Sequence, residues 1–291
     1  MAYFGVCYSP RRVTNPTADT VDQDMRIIAS LGFRNVRTYG VNPPDQWNML
    51  KARKYGLNVG LGVWAYGSQL DQTKARIDVA LAQANEAQRT YGPSRLAFDL
   101  VVGNEVNRQE AGPCTPDHIW HAMDYAQGLR SFHPNLDYRV TTCFSGTVLV
   151  DPGGAQWQKV VQKCDVCAYL TVYPWWSFAA GQHPDPGNID PNMQWSWNNG
   201  LSQVVNLGKQ VVIAEIGWPS AGKPEWNTTI PSERLNYNVT KKWVSGANSL
   251  GRAFDTYWFE MFDEPWKTNE GPFGPYFGLY DKDANPKWSP L

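Results

Sequence analysis

Eight short apolar segments alternate with seven helical ones along the 291 residues. That alternation predicts an α/β fold, a single (β/α)8 TIM barrel whose eighth helix is short or absent. Two further observations support it. The apolar segments are near-continuous runs rather than in-and-out alternations, as parallel strands covered on both faces are. No linker, repeat or low-complexity segment divides the chain, and its length is near the roughly 250 residues that such barrels take. Residues 1–291 are therefore read as one domain.

The elements follow in order. Tyr3 to Tyr8 is the first strand. A helix from about Asp19 to Leu31 has Val21, Met25 and Ile28 on one face and stops at Gly32. Asn35 to Tyr39 is strand two, and the next helix opens at Pro44-Asp45 and stops at Gly56. Strand three is Leu57 to Trp64. An Ala-rich helix, Asp71 to Tyr91, stops at Gly92-Pro93, and Leu96 to Val102 is strand four. Thr115-Pro116 combines an N-cap with a first-position proline for a helix running to about Phe132. Strand five, Tyr138 to Phe144, precedes a shorter helix, Gln156 to Lys163. Strand six, Asp165 to Tyr173, precedes a helix near Met193 to Leu207 that stops at Gly208. Strand seven, Gln210 to Ile216, leads to the helix Ser232 to Leu250, and Asp255 to Phe262 is strand eight. The tail from Gly278 to Leu291 closes the barrel with irregular structure.

Composition narrows the function. Lys and Arg number 26 and Asp and Glu 27, a formal net charge of −1, with charged residues at 18%. There is no basic footprint for nucleic acid or an anionic membrane, and no apolar run approaches the roughly 20 residues of a membrane span. Aromatics are abundant, with 14 Trp, 14 Tyr and 11 Phe. Five cysteines, an odd number, leave at least one thiol free. Cys164 and Cys167 resemble a redox pair, but they flank the start of an apolar strand and read as buried thiols. His118 and His121, one turn apart without a third ligand, read as solvated. Gly60 and Gly62 belong to a strand rather than a nucleotide fingerprint. No cofactor or metal is expected. The first residues carry no signal-peptide pattern, so Met1-Ala2 is read as the start of a trimmed mature chain. Sequons at Asn227-Thr228-Thr229 and Asn238-Val239-Thr240 lean toward a secreted or cell-wall protein.

Active sites of such barrels lie at the C-terminal ends of the strands. Arg37 and Tyr39 end strand two, Asn104 and Glu105 follow strand four, and Tyr173 to Trp176 end strand six. Glu215 to Ser220 end strand seven, and Glu260, Asp263, Glu264, Trp266 and Lys267 end strand eight. Glu105 and Glu215 stand out because each directly follows an apolar run, where an unpaired carboxylate is a costly filler. Strands four and seven lie across the mouth from one another. Two carboxylates so placed are what glycoside cleavage needs, and a separation of about 5–5.5 Å is the retaining geometry.

Val102-Gly103-Asn104-Glu105 and Val212-Ile213-Ala214-Glu215-Ile216-Gly217-Trp218-Pro219-Ser220 resemble the two catalytic segments of glycoside hydrolase family 17, the β-1,3-glucanase and β-1,3-glucanosyltransferase family. The run Phe259 to Lys267, then Glu270-Gly271-Pro272-Phe273-Gly274 and Phe277-Gly278-Leu279-Tyr280, agrees, as do Tyr3 to Val6 and Val36 to Gly40. The resemblance covers nearly the whole chain. It implies Glu105 as general acid/base and Glu215 as nucleophile. Asn104 would hold the 2-hydroxyl of the reacting sugar, and Tyr39 and Tyr173 would line its subsite. Glu264, Lys267 and Glu270 would form a supporting charged cluster. Two neighbours of the nucleophile depart from the family pattern, Ala214 and Ile216, and Thr171 replaces an Asn that contacts sugar.

Physically, the negative charge of Glu215 should raise the pKa of Glu105 and keep it protonated. Arg37 and Lys267 are the nearest cations to keep Glu215 ionised. The CH faces of an uncharged glucan stack on aromatic rings, for which Trp175, Trp176, Trp218 and Trp266 are the candidates at the mouth. Trp120, Trp197 and Trp243 fall within helices and read as packing. The implied function is cleavage of β-1,3-glucan or laminari-oligosaccharides by a monomer, with the glycosyl unit passed to water or to another glucan, and with a slight tilt toward transfer. The rival readings are a carbohydrate-binding protein on an inactive barrel and a β-1,4-glycan hydrolase of the same superfamily.

Overall fold

Nine strands form one all-parallel sheet in a computed structural model of the chain, which describes residues 2–67, 69–92, 96–108, 114–151, 153–173 and 185–289. They are β1 (Phe4–Cys7), β2 (Asn35–Arg37), β3 (Asn58–Val63), β4 (Leu96–Val102), β5 (Leu136–Thr141), β6 (Cys143–Ser145), β7 (Cys167–Thr171), β8 (Gln210–Ile216) and β9 (Asp255–Trp258). Their order is β5-β4-β3-β2-β1-β9-β8-β7-β6. The fifth segment, expected as one strand, is two. It breaks at Thr142, so β5 pairs with β4 and β6 pairs with β7. Thr142 bridges the seam: its hydroxyl donates to the Val102 carbonyl, and its own carbonyl accepts from Tyr169 N at 3.2 Å. The ring is an eight-position barrel with one interrupted strand.

The helices are α1 (Ala18–Ser30), α2 (Asn48–Lys54), α3 (Leu70–Tyr91), α4 (Pro116–Gly128), α5 (Gln158–Lys163), α6 (Asp190–Ser196), α7 (Ser202–Asn206) and α8 (Ile230–Val244). A π-helical turn, Trp197–Leu201, joins α6 to α7, so the two fill the place of one expected helix. Local chemistry starts them as expected. Thr115 caps α4 through His118 N at 3.2 Å, with Pro116 in the first turn, and Thr17 and Thr20 form a reciprocal capping box on α1. Apolar faces then bury against the sheet: Val21, Met25 and Ile28 of α1 are fully covered.

After β9 the described residues hold only two 3₁₀ turns, Lys267–Glu270 and Gly274–Tyr276. The tail takes the place of a helix by pairing with the barrel rim. Leu279 N donates to Glu260 O and Tyr280 N to Met261 O, both at 3.0 Å, while Trp288 packs edge-on against Tyr237 of α8. All five cysteines are buried and unbridged. His118 departs from expectation: it is buried, its Nδ1 donates to the Gly67 carbonyl, and Nε2 lies 3.0 Å from Thr73 Oγ1 of α3. It ties α4 to α3 rather than facing solvent. Trp243 stacks on Phe254 with 11° between planes, and Trp197 meets the same ring edge-on, so both are packing residues.

Candidate active site

A cleft of about 770 Å³ opens at the C-terminal ends of the strands, lined by Tyr39, Asn104, Glu105, Tyr173, Glu215, Glu264, Trp266, Lys267 and Glu270 among others. Glu215 reaches it because β8 is irregular. Leu170 pairs with Ile213 but Thr171 with Glu215, and on the other side Ile213 and Ile216 span only Thr256 to Trp258. One extra residue in β8 thus opposes both neighbours, a bulge of the kind that re-aims a side chain. It also turns the Ala214 carbonyl inward, where it accepts from Arg37 Nη1 at 3.1 Å and faces Cys7 Sγ at 3.3 Å.

Three donors converge on the Glu215 carboxylate. Arg37 Nη1 and the Tyr39 hydroxyl donate to Oε1 at 2.6 and 2.9 Å, and the Tyr173 hydroxyl donates to Oε2 at 2.6 Å. Burial, reinforced by neighbouring negative groups, holds both phenols well above their ordinary pKa, so each keeps its proton to donate. Arg37 is itself 1% exposed and donates through Nη2 to Asn104 Oδ1 at 2.6 Å. Its guanidinium lies 4.7 Å from the centre of the Tyr39 ring. One cation thereby fixes the nucleophile candidate and the neighbouring amide together.

Glu105 sits on a tight turn. Gly103 has φ 84° and Glu105 itself φ 45°, a left-handed conformation that costs a non-glycine residue about 1–3 kcal/mol and persists only when surroundings enforce it. A Cβ on Gly103 would lie 2.3 Å from Val106 Cγ1. The turn is pinned to β6: Val106 N donates to Cys143 O at 3.1 Å, and Asn107 Oδ1 accepts from Ser145 N at 2.8 Å. The Glu105 carboxyl then receives the Thr171 hydroxyl on Oε1 and Arg108 Nη1 on Oε2 at 3.3 Å. Burial first, and then the Glu215 charge, push its pKa above the usual carboxylate range. Thr171, which stands where a sugar contact was at issue, holds this carboxyl instead.

The charged cluster differs in its partners from the sequence expectation. Lys267 does not reach Glu215. Its ammonium lies 2.8 Å from Glu260 Oε1 and 2.5 Å from Glu264 Oε2, buried at the cleft floor. Burial opposes charge on Glu264, but Lys267 outweighs it and holds that carboxyl below its ordinary value. Burial and the Glu264 charge raise Glu260 well above it. Only Arg37 of the two expected cations serves Glu215.

Trp218 is a correction. It is fully buried, and its Nε1 donates to the Asn227 carbonyl at 2.8 Å, so it fastens the loop after β8 and offers no face to a sugar. Trp266 is 51% exposed at the rim, steadied by its Nε1 bond to Glu264 Oε1 at 3.1 Å. Trp175 and Trp176 lie outside the described residues. The cleft also takes in Arg11, Trp64, Tyr66, Phe259, Phe273 and Phe277, which the sequence reading did not single out as site residues. Trp64 and Tyr66 were findable: they follow strand three at alternate positions, on the side of the barrel where the site had to be.

The sequence profile of the BtgE/BtgC glycoside hydrolase domain matches residues 5–278. A glucan endo-1,3-beta-glucosidase (btgC) of Emericella nidulans is 25% identical over 97% of this chain and 44% of its own length, so the chain spans less than half of that relative. An endo-laminarinase from Formosa shares the fold with a TM-score of 0.76, at 21% identity, over 97% of this chain and 84% of that one. A structure of plant beta-glucan endohydrolases gives 0.73 at 20% identity, over 99% of both chains. With a barrel of this topology and two rim carboxylates held in opposite fashion, the match closes the question of kinship: the chain belongs to the BtgE/BtgC glycoside hydrolase domain family, a family of glycoside hydrolase family 17 type.

Proposed function

We propose that the chain cleaves β-1,3-glucosidic bonds with retention of configuration, Glu215 acting as nucleophile and Glu105 as acid/base. The observation that carries this reading is the asymmetry of the two carboxyls. Glu215 accepts three hydrogen bonds from proton-bearing donors, one of them a guanidinium, while Glu105 is pushed toward its protonated form. Glu105 donates its proton to the departing glycosidic oxygen as a Glu215 oxygen bonds to the anomeric carbon and the old C–O bond breaks. The ester removes the Glu215 charge, so the pKa of Glu105 falls and its carboxylate stays ionised, available as a base. It takes a proton from water or from a sugar hydroxyl, whose oxygen attacks the anomeric carbon and frees Glu215. Asn104, held by Arg37, would bind the 2-hydroxyl.

The substrate assignment draws on the activities named for the relatives above and on a cleft rimmed by rings and lined by few unpaired charges. Transfer to a second glucan is proposed alongside hydrolysis, by a monomer acting in the cell wall or outside the cell. Asn227 and Asn238, the sequon residues, are both exposed, and among the described residues no helix is long and apolar enough to cross a membrane. The test is incubation with defined laminari-oligosaccharides and sizing of the products. Products longer than the donor establish transfer; only shorter ones remove it. Turnover that survives Glu105→Ala and Glu215→Ala would overturn the site, and cleavage of β-1,4 but not β-1,3 linkages would overturn the substrate.

A further inference from the structure

The cleft holds one aromatic feature that the chemistry at Glu105 and Glu215 leaves unused. Trp64 directly follows β3, and Tyr66 comes two residues later. Their rings are nearly parallel, 11° apart, with centroids 5.8 Å from one another. Rings so disposed are stepped rather than overlaid, and no sugar fits between them. What they offer is exposed ring surface: Tyr66 is 44% exposed in the cleft wall.

The pair is fixed from behind. Arg76 of α3 lies 5.3 Å from the centre of the Tyr66 ring and donates through Nη1 to the Trp64 carbonyl at 3.2 Å. Gly40 borders the indole: a Cβ there would sit 2.8 Å from Asp45 Oδ2 and touch Trp64 Cδ1 at 3.4 Å. A platform already ordered in the free protein loses little entropy when a ligand stacks on it. Exposed and flat, it suits the CH face of a pyranose.

Position decides which sugar it takes. The Glu105 carboxyl is drawn toward Thr171 on β7, so the leaving oxygen is protonated on the β6–β7 side of the mouth. Trp64 and Tyr66 lie on another flank, three places round the ring from β7, after β3, which runs between the strands that lead to Tyr39 and Asn104. With the leaving group on the β6–β7 side, a chain retained on Glu215 would extend toward that flank, past Tyr39. We propose that Trp64 and Tyr66 form a donor-side subsite that stacks a glucosyl unit beyond the reacting one and so sets the length of chain the enzyme retains. The proposal rests on the β-1,3-glucan reading above.

The experiment compares the parent with Tyr66→Ala, Trp64→Ala and Tyr66→Phe on laminari-oligosaccharides of increasing length. In the parent, kcat/KM should climb as added units reach the platform. In the alanine variants the loss should grow with donor length, to about tenfold on the longest, the equivalent of about 1.4 kcal/mol. Tyr66→Phe, which keeps the ring, should preserve the climb. Tyr66 stands largely outside the core, so its alanine variant tests the idea even where Trp64→Ala disturbs the fold. A loss equal at every length, or none, overturns the subsite while the substrate reading stands. No turnover by the parent at any length removes both.

Discussion

Thr171 donates its hydroxyl hydrogen to Glu105 Oε1 across a sequence separation of 66 residues, from the point on β7 that pairs in register with Glu215. This bond favours the charged form of Glu105, against the burial and the Glu215 charge that raise its pKa. Thr171→Val keeps the shape and removes the donor. The pKa of Glu105 should rise further, so the basic limb of the kcat/KM profile should move to higher pH. The carboxyl also loses a restraint, and kcat should fall about tenfold, in the range of positioning effects. An unmoved basic limb would show that Thr171 serves packing alone.

Arg37→Lys separates charge from geometry. Lysine keeps the cation but cannot reach Glu215 and Asn104 together with a planar fork. The variant should lose about 100-fold in kcat with a smaller change in KM, read from initial rates on one oligosaccharide. A loss confined to KM would argue that Arg37 acts only on binding.

Lys267→Met tests the floor cluster. It leaves Glu260 and Glu264, both 1% exposed, without their shared cation. Removing one partner from a buried ion pair costs about 3–5 kcal/mol, so denaturant unfolding should show a loss of that order. A destabilisation below about 1 kcal/mol, the range of exposed pairs, would contradict the burial seen here.

A second buried acid gives stability a pH dependence. Glu233 of α8 is fully covered, with Lys287 at 3.6 Å, and Lys287 also pairs with Asp263 at 2.7 Å. Burial raises Glu233 well above its ordinary pKa. For a carboxyl raised on folding, the contribution to stability is complete below the unfolded value, about 4.3, and is lost as pH climbs through the folded value. Glu233→Gln removes that loss. Its Tm relative to the parent should therefore improve from acid to neutral pH, and a constant difference across that range would refute the assignment.

Much of this site was legible because barrels place function at strand ends and because a carboxylate is conspicuous after an apolar run. Glu105, Glu215, Asn104, Tyr39 and Tyr173 meet in one cleft for that reason. Trp218 was misread for the same reason: its position at a strand end is right, but a bond to the Asn227 carbonyl turns the indole away from the cleft. The partner of Lys267 was not legible either. Four acids lie within seven residues of it, and only packing selects Glu260 and Glu264 over Glu215. The bulge in β8 leaves no sequence signal, since Ala214 is as suited to a regular strand as to an irregular one.

The seam at Thr142 has a consequence for the acid. In an unbroken ring the N–H and C=O groups of a strand are taken up by the ladders with its two neighbours. Where β5 gives way to β6, the Cys143 carbonyl is free to accept from Val106 N and the Ser145 amide to donate to Asn107 Oδ1. The left-handed turn at Glu105 is moored to this fault line. A more regular barrel would have closed its own circle and left the Glu105 turn adrift.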